Sequence, residues 1–148
     1  MPSADGQGAP SGGFLVEEHI GFLLRRAHQR HVALFLEIAG KHGLTPTQFA
    51  ALFKAVELGK VTQNLLGRLT AMDPATVQGV VRRLTVRGLL CRTHDPMDRR
   101  TAVLAPTEAG IALIDRAVAC AQRSHDAALA PLNAPEQTQL LALLRKLA

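Results

Sequence analysis

Between Asp73 and Ala105 the chain carries a helix start, a helix stop and a hairpin in immediate succession. Asp73 is a good N-cap, and Pro74 has the fixed φ of a first helical residue. Val77, Val80, Val81 and Leu84 then recur at helical spacing, and Gly88 ends the run. Leu89 to Asp95 and Arg100 to Ala105 read as short strands, with Pro96-Met97-Asp98-Arg99 as the turn between them. Just upstream, Thr62 can cap a short helix whose inner face is Leu65, Leu66 and Leu69, and Ala71-Met72 makes a tight turn. Two short helices across a tight turn, followed by a basic hairpin, is the layout of a winged helix-turn-helix.

Helical signals flank this unit on both sides. From about Leu15 to Lys41, Ile20, Leu24, Ala27, His31, Leu34, Phe35 and Ile38 recur three and four apart, and Gly43 lies just beyond. Thr45-Pro46-Thr47-Gln48 is a capping-box start for a helix that buries Phe49, Leu52, Phe53 and Val56 and stops at Gly59. Thr107-Glu108-Ala109 opens another long helix with Ile111, Ile114, Val118, Ala121, His125 and Leu129 along one face, ended by Pro131. A last helix from near Pro135 carries Leu140, Leu141, Leu144 and Leu147. The expected fold class is therefore mainly α with a small β-hairpin wing. Residues 14–148 read as one domain, with the winged part at about 45–106 and long helices at about 15–41 and 107–148. Residues 1–13, small, polar and rich in Gly and Pro, read as a disordered tail. The long helices carry more apolar surface than one small winged domain can cover, which points to a homodimer.

Composition narrows the classes further. With 148 residues, 47% hydrophobic and 20% charged, the chain can bury one core and is not disordered throughout. It has no run of 18 apolar residues, so no transmembrane helix and no membrane partner are expected. No basic patch followed by an apolar stretch opens it, so no secretory signal is expected either. Cys91 and Cys120 alone cannot build a disulfide framework or a zinc knuckle, and a reducing, cytoplasmic setting fits them best. There is no Gly-rich phosphate loop, no Gly-x-Ser-x-Gly and no His-Glu-x-x-His, so neither an enzyme nor a cofactor is expected.

The net charge of +5 is confined to one place. Residues 60–100 hold eight cations (Lys60, Arg68, Arg82, Arg83, Arg87, Arg92, Arg99 and Arg100) against Asp73, Asp95 and Asp98, and elsewhere the two signs balance. Excess charge so localised, and nearly all Arg, is the footprint of a polyanion contact. Opposite the apolar stripe of the helix after Asp73 lie Ala75, Thr76, Gln78, Gly79, Arg82 and Arg83. Ala75 and Gly79 are small enough to allow close approach to base edges. Thr76 offers a hydroxyl and a methyl, Gln78 suits adenine, and Arg82 or Arg83 suits guanine or phosphate. Thr62 and Asn64, at the start of the preceding helix, belong to the same DNA-facing set. At the hairpin tip an acid beside Arg99 and Arg100 can pin the turn and leave a guanidinium free for a minor groove.

The stretch from Leu65 to Leu104 resembles the core of the MarR family of bacterial transcriptional regulators. The residues that carry the likeness are Leu66 and Leu69, Thr76-Val77, Arg83-Leu84, Arg87-Gly88-Leu89, the wing Asp95-Pro96-Met97-Asp98-Arg99-Arg100, and Thr107-Glu108-Ala109-Gly110 after it. The resemblance covers roughly residues 15–148. It implies an obligate homodimer joined through the first and last helices, bound to a pseudo-palindromic double-stranded operator with half-sites about one helical turn apart. It also implies repression, relieved when a small aromatic carboxylate or phenol binds between the dimerisation helices and the winged part. Gly21 to His31 is similar to regulators of aromatic or N-heterocyclic acid catabolism. Arg25, Arg26, His28 and His31 are the candidates for the carboxylate or hydroxyl, and Phe22, Phe35, Phe49 and Phe53 for the apolar walls.

Two alternatives remain open. A zinc-responsive regulator of the same fold could use His28 and His31, three apart on one helical face, although no Glu or Cys stands at ligand spacing and no metal site is assigned. A winged helix used only for protein contacts would not need the arginines. Thiol sensing has less support. Cys91 is expected half-buried in the wing and Cys120 mid-helix, neither in a visible setting that would make it a thiolate, nor early in the first helix, where the family's peroxide sensors carry theirs.

Overall fold

Helix starts are set by side chains that satisfy otherwise unpaired N–H groups. Thr45 Oγ1 accepts from Gln48 N (3.3 Å) while Gln48 Oε1 accepts from Thr45 N (3.2 Å), a complete capping box. Thr62 accepts from Leu65 N (3.2 Å), Asp73 from Thr76 N (2.8 Å) and Thr107 from Gly110 N (3.1 Å). A second box, Asn133 with Glu136, starts the last helix one residue ahead of the position expected at Pro135.

The structure, a computed structural model, describes residues 12–148. All but the last two residues of the expected 1–13 tail lie outside the described residues. The elements run α1 (Ile20–Ala39, bracketed by short 3₁₀ turns), α2 (Pro46–Leu58), β1 (Val61–Thr62), α3 (Gln63–Leu69), α4 (Pro74–Val86), β2 (Leu90–His94), β3 (Ala102–Pro106), α5 (Glu108–Leu129) and α6 (Ala134–Leu147). The strands form one antiparallel sheet in the order β1-β3-β2, with Val61 and Arg92 both opposite Leu104. None of the described helices is long and apolar enough to cross a membrane.

Leu52, Ala55, Leu66, Val81, Leu84, Leu104 and Ile114 are fully or almost fully buried and draw α2 to α5 and the sheet around one core. A second, smaller cluster of Phe35, Ala39 and Cys120 packs α1 on α5. The stripe expected on α4 is the observed one: Val77, Val80, Val81 and Leu84 are buried.

Several expectations are corrected. β1 was not anticipated, because two residues are too few to show alternation. The hairpin strands are shorter than expected, and residues 95–101 form the connection, so Arg100 lies in the turn. Leu69 is 45% exposed, because α3 turns only Leu66 and Gly67 fully inward. On α5 the packed stripe is Gly110, Leu113, Ile114, Ala117, Cys120 and Ser124, while Ile111 and Val118 stay about 41% exposed. The packed side thus mixes Leu113 and Ile114 with small residues, and it is rotated away from Ile111 and Val118.

One junction ties these layers together. Gly88, at φ +71°, ends α4 in a left-handed turn suited to glycine. Thr107 Oγ1 donates to Gly88 O (2.6 Å), and Thr107 N donates to Leu89 O (3.1 Å). A Cβ on Gly110 would come 2.2 Å from the same Leu89 oxygen, so α5 can approach the end of α4 this closely only with glycine there. Gly110→Ala is expected to destabilise the fold by about 1–3 kcal/mol, as overpacking against fixed backbone does. Urea denaturation checks this; an unchanged midpoint would mean that the junction is not under this constraint.

Candidate nucleic-acid interface and ligand cavity

The second helix of the helix-turn-helix presents its polar side outward. Ala75, Thr76, Gln78, Arg82 and Arg83 are exposed and Gly79 is half-buried. A Cβ at Gly79 would meet nothing nearer than the flexible Arg83 guanidinium at 3.6 Å, so the packing of the chain does not require glycine there. Thr76 is less free than its sequence position implies. Its hydroxyl donates to Asp73 Oδ2 (2.7 Å), which leaves the methyl as its outward group. The same hydrogen bond, ahead of the backbone ones, holds the Asp73 carboxyl below its ordinary pKa. The cap is therefore intact at neutral pH and is lost only as pH falls through that lowered value.

In the wing both carboxylates are committed to backbone. Asp95 Oδ1 accepts from Met97 N (2.9 Å), and Asp98 accepts from Arg100 N (2.9 Å) and Thr101 Oγ1 (3.0 Å). These are Asx turns, not ion pairs, which corrects the expectation that an acid would hold one of the arginines. Arg99 and Arg100 are both exposed, and among the described residues the only ion pair is Lys54–Glu57.

Asn64 stands between α4 and the wing. It lines a cleft of about 350 Å³ with Arg68, Met72, Pro74 and Val77, and another of about 320 Å³ with Thr62, Arg92, Arg100 and Thr101. Arg92 was not among the sequence candidates. It reaches back to Gln63 Oε1 (3.0 Å) and braces the wing against α3. Thr62 serves mainly as the α3 cap.

The ligand candidates separate into two groups. Phe49 and Phe53 of α2 line a cavity of about 330 Å³ with Val118, Ala121, Gln122 and His125 of α5. Their rings continue a series: Phe53 lies 5.9 Å from Phe49, Phe49 is 5.7 Å from Phe35, and Phe35 is 6.4 Å from half-buried His31. Burial first, then the nearby His28 and His125, hold the His31 pKa below its ordinary value. Arg25, Arg26 and His28 are exposed on α1 and do not line this cavity, and the Arg26 guanidinium sits 6.0 Å from the Phe22 ring. Arg30 donates to Ala128 O (2.6 Å) and Ala127 O (3.1 Å), closing the end of α5. His125 and Gln122 were missed as site residues. His125 was visible in the sequence as part of an α5 stripe, but the stripe reads as core.

Cys91 differs from expectation in its exposure, and Cys120, mid-helix as expected, in its surroundings. Cys91 is exposed, because the outer face of β2 is uncovered. Cys120 is buried in a basic setting, 3.5 Å from His42 Nε2 and accepting from Arg123 Nη2 at 3.2 Å. Among the described residues no group of three His, Cys, Asp or Glu is placed to hold a metal ion.

Residues 42–101 match the model of the MarR family. The chain is 41% identical over 132 residues to the HTH-type transcriptional repressor NicR of Pseudomonas putida, covering 89% of this chain and 84% of NicR. The chain belongs to the MarR family. Among solved MarR-like structures, BpsR of Bordetella bronchiseptica superposes with a TM-score of 0.86 at 38% identity, over 92% of this chain and 97% of that one. That structure is described as a mechanism for regulation of DNA binding by 6-hydroxynicotinic acid. A mutant of MarR from E. coli complexed with operator DNA superposes with a TM-score of 0.82 at 25% identity, over 90% of this chain and 98% of that one.

Arg100→Ala or Arg99→Ala is expected to weaken operator binding by ~1–3 kcal/mol while leaving stability nearly unchanged. Gly79→Ala should raise helix stability by ~0.5–1 kcal/mol and still lower DNA affinity. Gel-shift titrations beside thermal melts separate the two effects. If either arginine change left binding intact, the wing would not be a DNA contact.

Proposed function

We propose that two copies of this chain repress transcription from a pseudo-palindromic operator and leave it when a small aromatic carboxylate or phenol binds. Each copy lays the Ala75–Gln78–Arg82 side of α4 in a major groove. Gly79 allows the close approach, and Gln78, Arg82 and Arg83 read or anchor. Arg99 and Arg100 reach the flanking minor groove, and Asn64 and Thr62 border the backbone between the two contacts. The observation that carries this reading is the pair of exposed wing arginines, whose neighbouring carboxylates are spent on main-chain N–H groups. Likeness to NicR, a named repressor, and to BpsR supports both halves of it.

A second copy accounts for the surface that one chain leaves bare. No residue of α6 is buried, and Leu140, Leu143 and Leu147 are exposed. Phe14, Leu15, Ile20, Leu23 and Leu24 are exposed at the other end of the sequence. Apolar surface of this extent on the terminal helices calls for a partner. The aromatic cavity between α2 and α5 is the effector site in this reading, with Phe49 and Phe53 as walls and His31 nearby for the acid group. Among the described residues no metal-ligand group supports the zinc-responsive alternative. The clustered arginines disfavour a module for protein contacts alone.

Fluorescence anisotropy with operator DNA tests the reading. Log affinity should fall linearly with log salt, by about 0.9 for each phosphate neutralised on duplex DNA. Addition of 6-hydroxynicotinic acid should weaken DNA binding by a coupling of about 1–3 kcal/mol, and Phe49→Ala should reduce that coupling. A flat salt response would favour the protein-contact module. A screen in which zinc, and no aromatic acid, releases the DNA would favour the metal-responsive alternative.

A further inference from the structure

Arg87 belongs to the cationic stretch, yet its guanidinium is committed to the chain itself. It caps the C-terminus of α4. Its Nη1 donates to Gly43 O at 2.6 Å, from a residue 44 positions away in sequence. A guanidinium on a carbonyl at this distance makes a charge-assisted bond, stronger than a neutral one. The acceptor is firmly held. Gly43 closes the turn after α1 in a left-handed conformation, φ +69°, and its N–H donates to Gly40 O at 2.9 Å. On one side of it His42 Nε2 lies 3.5 Å from Cys120 Sγ of α5, and on the other Leu44 is buried in the main core.

The Arg87 bond crosses open space. A groove of about 740 Å³ separates the start of α2 from the last turns of α4, with Thr45 and Gln48 on one wall and Arg83, Val86 and Arg87 on the other. Val86, just before Arg87, is 82% exposed. Packing does not brace α4 on this side, and Arg87 bridges the gap. The corner between Gly88 and Thr107 fixes where α4 ends. A single attachment leaves a pivot, whereas a second one fixes the tilt. Ala75 lies roughly 18 Å from Arg87 along the helix, at about 1.5 Å per residue. A tilt of about 5° at the Arg87 end therefore moves Ala75 by roughly 1.5 Å, enough to break hydrogen bonds to base edges.

We propose that Arg87 is a positioning residue for operator recognition: its bond to Gly43 sets the tilt at which α4 meets the major groove, and it does not itself bind DNA. The inference rests on the reading of α4 above and adds a residue that acts through that helix. An arginine on a phosphate strengthens binding to every duplex and contributes to its salt dependence. An arginine that sets a tilt matters only where base edges must be matched.

Fluorescence anisotropy can compare the unaltered full-length protein with Arg87→Ala on operator DNA and on a scrambled duplex of equal length, each over a salt series. Arg87→Ala should lower operator affinity about tenfold, the size of one lost base contact. Affinity for the scrambled duplex and both salt slopes should stay as they are. Gly43→Ala should give the same pattern with every charge retained. Its Cβ would come 3.1 Å from Arg87 Nη2, and its φ of +69° is strained for alanine. Thermal melts establish that each variant is folded; if Gly43→Ala is not, Arg87→Ala decides alone. Equal losses on both duplexes, with the salt slope reduced by about 0.9 per protomer, would make Arg87 a phosphate contact and overturn the proposal. Unchanged operator affinity in Arg87→Ala would overturn it as well. An unaltered protein that does not distinguish operator from scrambled duplex would overturn the reading of α4 itself.

Discussion

The architecture depends on how closely α5 passes the end of α4. Gly110 lies against the Leu89 carbonyl with no room for a side chain, and Thr107 binds the backbone of Gly88 and Leu89. That corner is where the DNA-facing helix ends and the wing begins. Fixing it fixes the angle between α4 and the hairpin, and hence the two surfaces proposed to meet a duplex. Farther along the same helix, α5 carries Val118, Ala121, Gln122 and His125 into the aromatic cavity. One helix thus has the cavity on its middle turns and this corner at its start. A ligand that shifted α5 relative to α2 would act on that corner without touching the proposed DNA-binding residues, which gives the proposed release a physical route.

Charge is handled by the same economy. A wing with two aspartates and two arginines could neutralise itself. Instead Asp95 and Asp98 each accept main-chain N–H groups, so the turn is held by hydrogen bonds and the guanidinium groups are left to solvent. Arg92 is used differently, as a brace from β2 to Gln63. Within one cationic segment, then, some arginines build the shape and others remain available to a polyanion. Net charge alone does not distinguish them.

What the sequence discloses follows from the range of the interaction. Capping is local, so Thr45, Thr62, Asp73 and Thr107 announce their helices, and the inward stripe of α4 follows from its own periodicity. The wing motif is local too. β1 is invisible because its pairing with β3 spans some forty residues and involves only two. The α5 stripe misleads because Ile111 and Val118 look like core, whereas small Gly110, Ala117, Cys120 and Ser124 share the packed side with Leu113 and Ile114. The cavity is non-local in the same way. Phe49 and Phe53 could be picked out as aromatic walls, but their facing partners His125 and Gln122 are fixed only once α5 packs on α2. Arg25 and Arg26 carried the right chemistry on a turn of α1 that the cavity does not reach.

All of this converges on one claim: the exposed side of α4 and the wing arginines meet a duplex together, twice, from a symmetric pair of chains. A hydroxyl-radical footprint on the cognate operator reads that geometry directly. The account predicts two equivalent protected half-sites with centres about 10 base pairs, or a multiple of that, apart, each with flanking minor-groove protection that disappears when the wing arginines are replaced. A single protected half-site, or protection unchanged without those arginines, would contradict it.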